Sequence, residues 1–128
     1  MKAMVTILQM LVRLCFVVLI VLGIAFWTNH WLSLVPIHMG VGLLLVLSLG
    51  LTSIIAAVAR APVGLVIAGL VWGAIVIALG MNQTSLLAGS SHWVVQVTHL
   101  LVGMAAIALN ERLAMLTKER LAGHAPTG

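Results

Sequence analysis

Long runs of apolar residues, separated by short polar connections, dominate the hydrophobic pattern of this chain. The apolar runs cover about residues 5–27, 34–59, 63–81 and 93–115. A helix that crosses a bilayer needs roughly 20 mostly apolar residues, and each run meets that length. The pattern therefore predicts an all-α protein, a four-helix transmembrane bundle that forms a single membrane domain over residues 1–128.

Composition supports an integral membrane protein embedded in a lipid bilayer. Hydrophobic residues make up 63% of the 128 residues and charged residues only 6%, which is far from the balance of a soluble domain. The formal net charge of +4 comes from a few cations at the ends of the spans, where cations report topology. We therefore expect no nucleic-acid partner.

The positions of the cations predict the orientation of the bundle. Five of the six cations would share one side of the membrane. These are Lys2, Arg60, Arg112, Lys118 and Arg120. The two connections on the other side carry no charge. By the positive-inside rule both termini are cytoplasmic. We expect a multi-pass protein of the bacterial inner membrane, with residues 117–128 forming a frayed helix end and a disordered terminus.

A short motif occurs twice and heads the second and fourth spans. Its two copies are His30-Trp31 with His38 and Gly42, and His92-Trp93 with His99 and Gly103. These two spans run in the same direction, from the outer to the cytoplasmic face. The bundle is therefore expected to consist of two repeated helical hairpins, about 1–61 and 62–123, related by a pseudo-two-fold axis along the membrane normal.

His38 and His99 are predicted to lie inside the membrane at nearly the same depth, facing each other across this axis. Gly42 and Gly103 follow them by four residues and would leave space beneath each imidazole on the same helix face. Such a slot suits a flat macrocycle with a central metal, because imidazole is a good axial ligand of haem iron. A chlorophyll-type pigment, a metal ion and a purely structural hydrogen-bonding role are the alternatives.

The histidine pair, its glycines and the four-helix setting resemble small transmembrane b-type cytochromes, in which histidines from different helices ligate one haem. The resemblance implies one haem b per chain, with His38 and His99 as metal ligands. It also implies electron transfer, with a quinone or quinol or with an outer-side redox partner. The lone Cys15 cannot form the attachment motif of a c-type haem.

Other function classes stay open at this point. The chain could be an accessory or pigment-binding subunit of a larger respiratory or photosynthetic membrane complex, it could form a homo-oligomer, or it could be a small transporter. We find no hydrolytic or transferase motif, so any enzyme activity would be that of a haem-dependent membrane oxidoreductase.

His30 and His92 lie about two helical turns outside the inner pair, beside Trp31 and Trp93. Interfacial residues of an aromatic belt account for all four. The alternatives for the two histidines are contact with haem propionates or a quinone at the outer mouth, which would make these residues part of the cofactor site, or metal binding of their own.

Other polar and small residues inside the spans predict packing contacts. Arg13 must extend towards the interface or be paired, and Glu111 is its expected partner. Gly69 and Gly73 form a small-residue pattern that indicates close helix packing, and Gly73 or Gly80 could additionally make room for a ring edge.

Overall fold

The computed structural model describes residues 1–123, which form four α-helices. These are α1 (Lys2–Trp27), α2 (Val35–Val58), α3 (Val63–Asn82) and α4 (His92–Leu121), with a 3-10 turn, Leu32–Leu34, leading into α2. All four are long and apolar enough to cross a membrane. The predictions of an all-α fold and of a multi-pass membrane protein are confirmed at this level.

Helices α2 and α4 form the centre of the bundle. Each contacts the other three helices, whereas α1 and α3 lie on opposite flanks and make no contact with each other in the described part of the chain. The fully buried side chains come mainly from the central helices, with Leu49 on α2 and Leu113 on α4 among the largest. The facing surfaces of α2 and α4 thus determine what the interior of the protein can contain.

Among the glycines of the described residues, Gly69 on α3 has the least space for a side chain. A Cβ atom at this position would lie 2.8 Å from Cδ1 of Leu113 and would also collide with Oγ of Ser53. The absent side chain lets α3 pack simultaneously against α2 and α4. Because apolar side chains gain no hydrophobic free energy by leaving lipid, such close packing is a main source of helix association in membranes.

We expect Gly69→Ala to destabilise the bundle by about 1–3 kcal/mol, the usual range for an overpacked interior. Unfolding midpoints in detergent would measure the effect. Gly50→Ala is the matched control, because a Cβ at Gly50 meets no atom within 4 Å. Equal midpoints for the two variants would show that Gly69 does not set the packing of α3.

Helix α4 is longer than its apolar run and ends at Leu121. The expectation of a frayed end from residue 117 is wrong for residues 117–121. Thr117 is fully buried, Nζ of Lys118 donates to Oε1 of Gln9 at 2.6 Å, and Nη1 of Arg120 donates to the carbonyl of Arg60. These contacts with α1 and with the α2–α3 connection hold the last turn. The expected disordered terminus, including His124, falls largely on residues 124–128, outside the described residues.

The predicted ion pair between Arg13 and Glu111 is confirmed. Nε and Nη2 of Arg13 donate to Oε1 and Oε2 of Glu111, both at 2.7 Å. Nε2 of Gln9 donates to the same carboxylate at 2.5 Å. A two-pronged guanidinium–carboxylate contact is the strong form of this interaction. Gln9, Arg13, Glu111 and Lys118 together form a polar network that links α1 to α4, which we call the inner polar network.

We expect Glu111→Ala to lower the thermal stability, because the variant leaves the guanidinium of Arg13 without its carboxylate. Glu119→Ala should change the melting temperature much less, since Glu119 is an exposed acidic residue on the same helix. The exchanged pair, Arg13→Glu with Glu111→Arg, should recover part of the loss. A melting curve of Glu111→Ala that matches that of Glu119→Ala would contradict a stabilising role for the pair.

Candidate cofactor site

The structure brings His38 and His99 together. His38 lies in the first turn of α2 and His99 lies two turns into α4, and their ring centroids are 6.3 Å apart with an angle of 46° between the ring planes. The two residues therefore share one depth in the bundle, near the end at which α2 and α4 begin. This is the juxtaposition that the sequence motif predicts.

Neither imidazole has the hydrogen bonds that a structural histidine would make. Nδ1 of His38 and Nδ1 of His99 are both buried, and neither has a hydrogen-bond partner among the described residues. A buried polar atom without a partner is costly, because it has lost its hydration and gained nothing in return. This arrangement argues against a purely structural role for the pair and in favour of a ligand that the ring nitrogens bind.

The surroundings of the two rings are apolar and include a glycine on each flank. Phe26 of α1 contacts His38 edge-on, with ring centroids 5.4 Å apart. A Cβ at Gly23 of α1 would lie 3.9 Å from Cε1 of His38, and a Cβ at Gly80 of α3 would lie 3.4 Å from Cε1 of His99. Each imidazole thus rests against a glycine of the preceding helix in its own hairpin.

The two glycines of the motif, Gly42 and Gly103, do not lie against the histidine rings. A Cβ at Gly42 would be nearest to Cδ2 of Leu19, at 3.9 Å, and a Cβ at Gly103 would have no atom within 4 Å. Open space beside α4 is therefore present at Gly103, whereas Gly42 packs against α1. The contact of Gly23 was not predicted from the sequence. Gly23 precedes the connection at residues 28–33 by about as many residues as His38 follows it, and this spacing could have indicated that the two residues lie side by side.

Trp72 fixes the flanking helix α3 close to this site. Its indole Nε1 donates to the carbonyl oxygen of Val102 at 3.0 Å, and Val102 lies three residues after His99. A buried indole N–H needs such a partner. The contact holds α3 against α4 about one turn below the histidine pair.

Fewer residues are buried around the histidines than in the opposite half of the bundle. The fully buried residues of α2 all lie between Leu45 and Ala56, and α4 has only Val95 buried before Ala106. On α1 the sole buried residue beyond Cys15 is Leu22. Within residues 1–123, the buried core therefore lies in the half of the bundle that contains Arg60 and Arg120, and the histidine pair lies outside it.

Helices α2 and α4 bury residues in the same register below the histidines. His38 and His99 are 61 residues apart, and the same step connects further residues that are buried on both helices. These pairs are Leu45 with Ala106, Leu49 with Asn110, Thr52 with Leu113, Ser53 with Ala114, Ile55 with Leu116, and Ala56 with Thr117. The two central helices thus present equivalent faces to the interior.

The outer histidines are in a different situation from the inner pair. Nδ1 of His30 lies 3.1 Å from Oγ1 of Thr28, and Nδ1 of His92 lies 3.2 Å from the carbonyl of Leu86. Trp31 and Trp93 are exposed. In the part of the chain described, no three or more His, Cys, Asp or Glu side chains are grouped closely enough to hold a metal ion. The outer histidines therefore do not join His38 and His99 in one metal cluster.

Comparison of the chain with family models, with curated proteins and with solved structures finds no match. The resemblance to b-type cytochromes consequently rests on the histidine pair and its setting in the chain itself. Any functional conclusion has to come from the chemistry of that site.

Proposed function

We propose that the protein is a membrane-embedded b-type cytochrome that holds one haem b with His38 and His99 and transfers electrons. Its exchange partner would be a quinone or quinol, or a redox protein on the outer side. The observation that carries this proposal is the pair of facing imidazoles, 6.3 Å apart between centroids, with buried ring nitrogens that have no protein partner.

The spacing of the two rings fits ligation of one metal from opposite sides. An imidazole nitrogen binds a metal at about 2.0–2.1 Å and lies about 1.1 Å from the centroid of its own ring, so two opposed imidazoles have centroids about 6 Å apart. The separation of 6.3 Å agrees with that value. A pair of histidines that merely packed in the core would satisfy its nitrogens with hydroxyls or carbonyls.

The scarcity of buried residues around the histidines and the two flanking glycines favour a large, flat group over a bare ion. Gly23 and Gly80 leave the ring edges of His38 and His99 uncovered by side chains, and Phe26 supplies an apolar wall. Pockets of helix bundles are a common place for such cofactors. Haem bound here would supply a one-electron redox couple. With His38 and His99 both holding the group, its chemistry would be electron transfer and not a reaction on a bound substrate.

We further propose that the hairpins are an internal repeat and that both termini are cytoplasmic. The common buried register of α2 and α4 supports the repeat, as does the placement of Gly23 and Gly80 beside equivalent histidines. The concentration of Lys and Arg at one end of the bundle supports the orientation. On this orientation the haem would lie in the outer half of the membrane.

The purified protein should show the reduced-minus-oxidised absorption spectrum of a low-spin b-type haem, and a pyridine haemochrome assay should give one haem per chain. His38→Ala and His99→Ala should each lose the haem, because each removes one ligand. His30→Ala and His92→Ala are the matched controls and should retain it, with circular dichroism reporting the fold of every variant.

Two results would overturn the haem assignment. One is an iron-free protein after expression with adequate haem, together with wild-type folding and stability of both inner histidine variants. The other is extraction of a magnesium-containing chlorin, which would instead support a pigment-binding subunit.

The orientation can be tested separately by cysteine labelling in a Cys15→Ala background. A membrane-impermeant maleimide should label Ser33→Cys and Thr84→Cys in intact cells, because both positions lie in the two outer connections. Arg60→Cys should react only after the membrane is permeabilised. The opposite pattern of labelling would reverse the proposed topology.

A further inference from the structure

Asn110 is a polar residue that neither the inner polar network nor the histidine site accounts for. It lies in the middle of α4 with 0% of its surface exposed. Neither Oδ1 nor Nδ2 has a hydrogen-bond partner among the described residues. A carboxamide carries two donor hydrogens and an oxygen with two lone pairs, so one side chain in the buried core leaves all of its hydrogen-bonding capacity unused.

The facing surface of α2 offers acceptors at the same depth. Counting eleven residues on from His38 and from His99, which lie beside each other, leads to Leu49 and to Asn110, both fully buried. Ser48 and Thr52 are buried on α2 within one turn of Leu49. The hydroxyl of Ser48 donates to the carbonyl of Leu44 at 2.8 Å, and that of Thr52 donates to the carbonyl of Ser48 at 2.9 Å. Their protons are thus used within α2, while their oxygens retain free lone pairs.

The position of Asn110 restricts what can satisfy its amide. A lipid headgroup or a side chain of another protein would need access from the surface, which a fully buried residue does not give. The group must therefore be small, able both to donate and to accept hydrogen bonds, and enclosed by the bundle. Water has these properties, and buried waters in proteins typically bind two to four otherwise unpaired polar groups.

We propose that Asn110 binds internal water that connects its amide to the hydroxyl oxygens of Ser48 and Thr52 across the α2–α4 interface. The water accepts a hydrogen bond from Nδ2 of Asn110 and uses its two hydrogens to donate to the hydroxyl oxygens of Ser48 and Thr52 on α2. The site lies about three helical turns below the histidine pair, at ~1.5 Å per residue, and next to Glu111 of the inner polar network. It does not depend on whether haem is bound.

Radiolytic hydroxyl-radical footprinting with mass spectrometry tests the site, because side chains next to bound water are oxidised even when bulk solvent cannot reach them. The full chain in lipid nanodiscs should show oxidation in the segment around Asn110, several-fold above that of the lipid-facing residues around Leu43. Asn110→Leu should reduce that oxidation to the lipid-facing level. Thr98→Val is the matched control on the same helix, since Thr98 is exposed and its hydroxyl makes the same type of bond to Val94.

A wild-type segment that is oxidised no more than the lipid-facing residues overturns the proposal, as does oxidation that is unchanged in Asn110→Leu. If Asn110→Leu does not fold, Ser48→Ala and Thr52→Val serve the same purpose, because each keeps the amide and removes one acceptor of the water. Each should lower the oxidation around Asn110, and unchanged oxidation in both contradicts the bridge.

Thermal unfolding gives an independent readout. A dry, unpaired amide would make Asn110→Leu more stable than the wild type, whereas an amide bound to water makes it less stable. The losses in Asn110→Leu and Thr52→Val should also add to more than the loss in the double variant, because both remove the same bridge. Increased stability of Asn110→Leu, or simple additivity, would refute the proposal.

Discussion

A bilayer interior supplies no water, so every polar group that enters it must find its partner within the protein or in something the protein binds. Most polar side chains of this chain meet that requirement in familiar ways. Arg13 and Glu111 pair with each other, buried hydroxyls donate to carbonyls of their own helix, and Trp72 donates to α4. His38, His99 and Asn110 do not, within the described residues, and these exceptions point to bound groups.

The arrangement of the helices explains why these exceptions lie where they do. Because α2 and α4 both contact all other helices, these two helices contain most of the buried positions. Gly69 draws α3 close to both of them in the half nearer the α2–α3 connection. Towards the other end the fully buried residues become sparse. A bundle that is tight at one end and loose at the other provides two different environments for polar side chains.

The sequence was sufficient to predict the four spans, the pairing of Arg13 with Glu111 and the proximity of His38 to His99. Span length and charge are local properties. Glu111 is the one carboxylate within the apolar runs, so it is the partner expected for Arg13. The residues that contact each imidazole could not be predicted as reliably. Helices that are apolar all round do not reveal which face is buried, so the contacts of Gly23 and Gly103 depended on helix rotation. Helix α4 also extends past its apolar run. The sequence of this extension is charged and resembles a disordered tail, but long-range contacts hold Lys118 against Gln9 and Arg120 against Arg60.

The same deficiency, a buried polar atom without a partner, leads us to propose different occupants at the two sites, because the sites differ in burial and in the atoms they offer. At the histidine pair, two imidazoles lie 6.3 Å apart between centroids in a glycine-flanked region with few buried residues, and we propose a broad group bound through its metal. At Asn110, a carboxamide lies in the buried core at the depth of two buried hydroxyl groups of α2, and we propose water as its partner. Depth alone does not separate the two, since both lie within the membrane. The burial of their surroundings separates the two sites. In a lipid-embedded bundle, burial depends largely on where small residues let the helices approach each other.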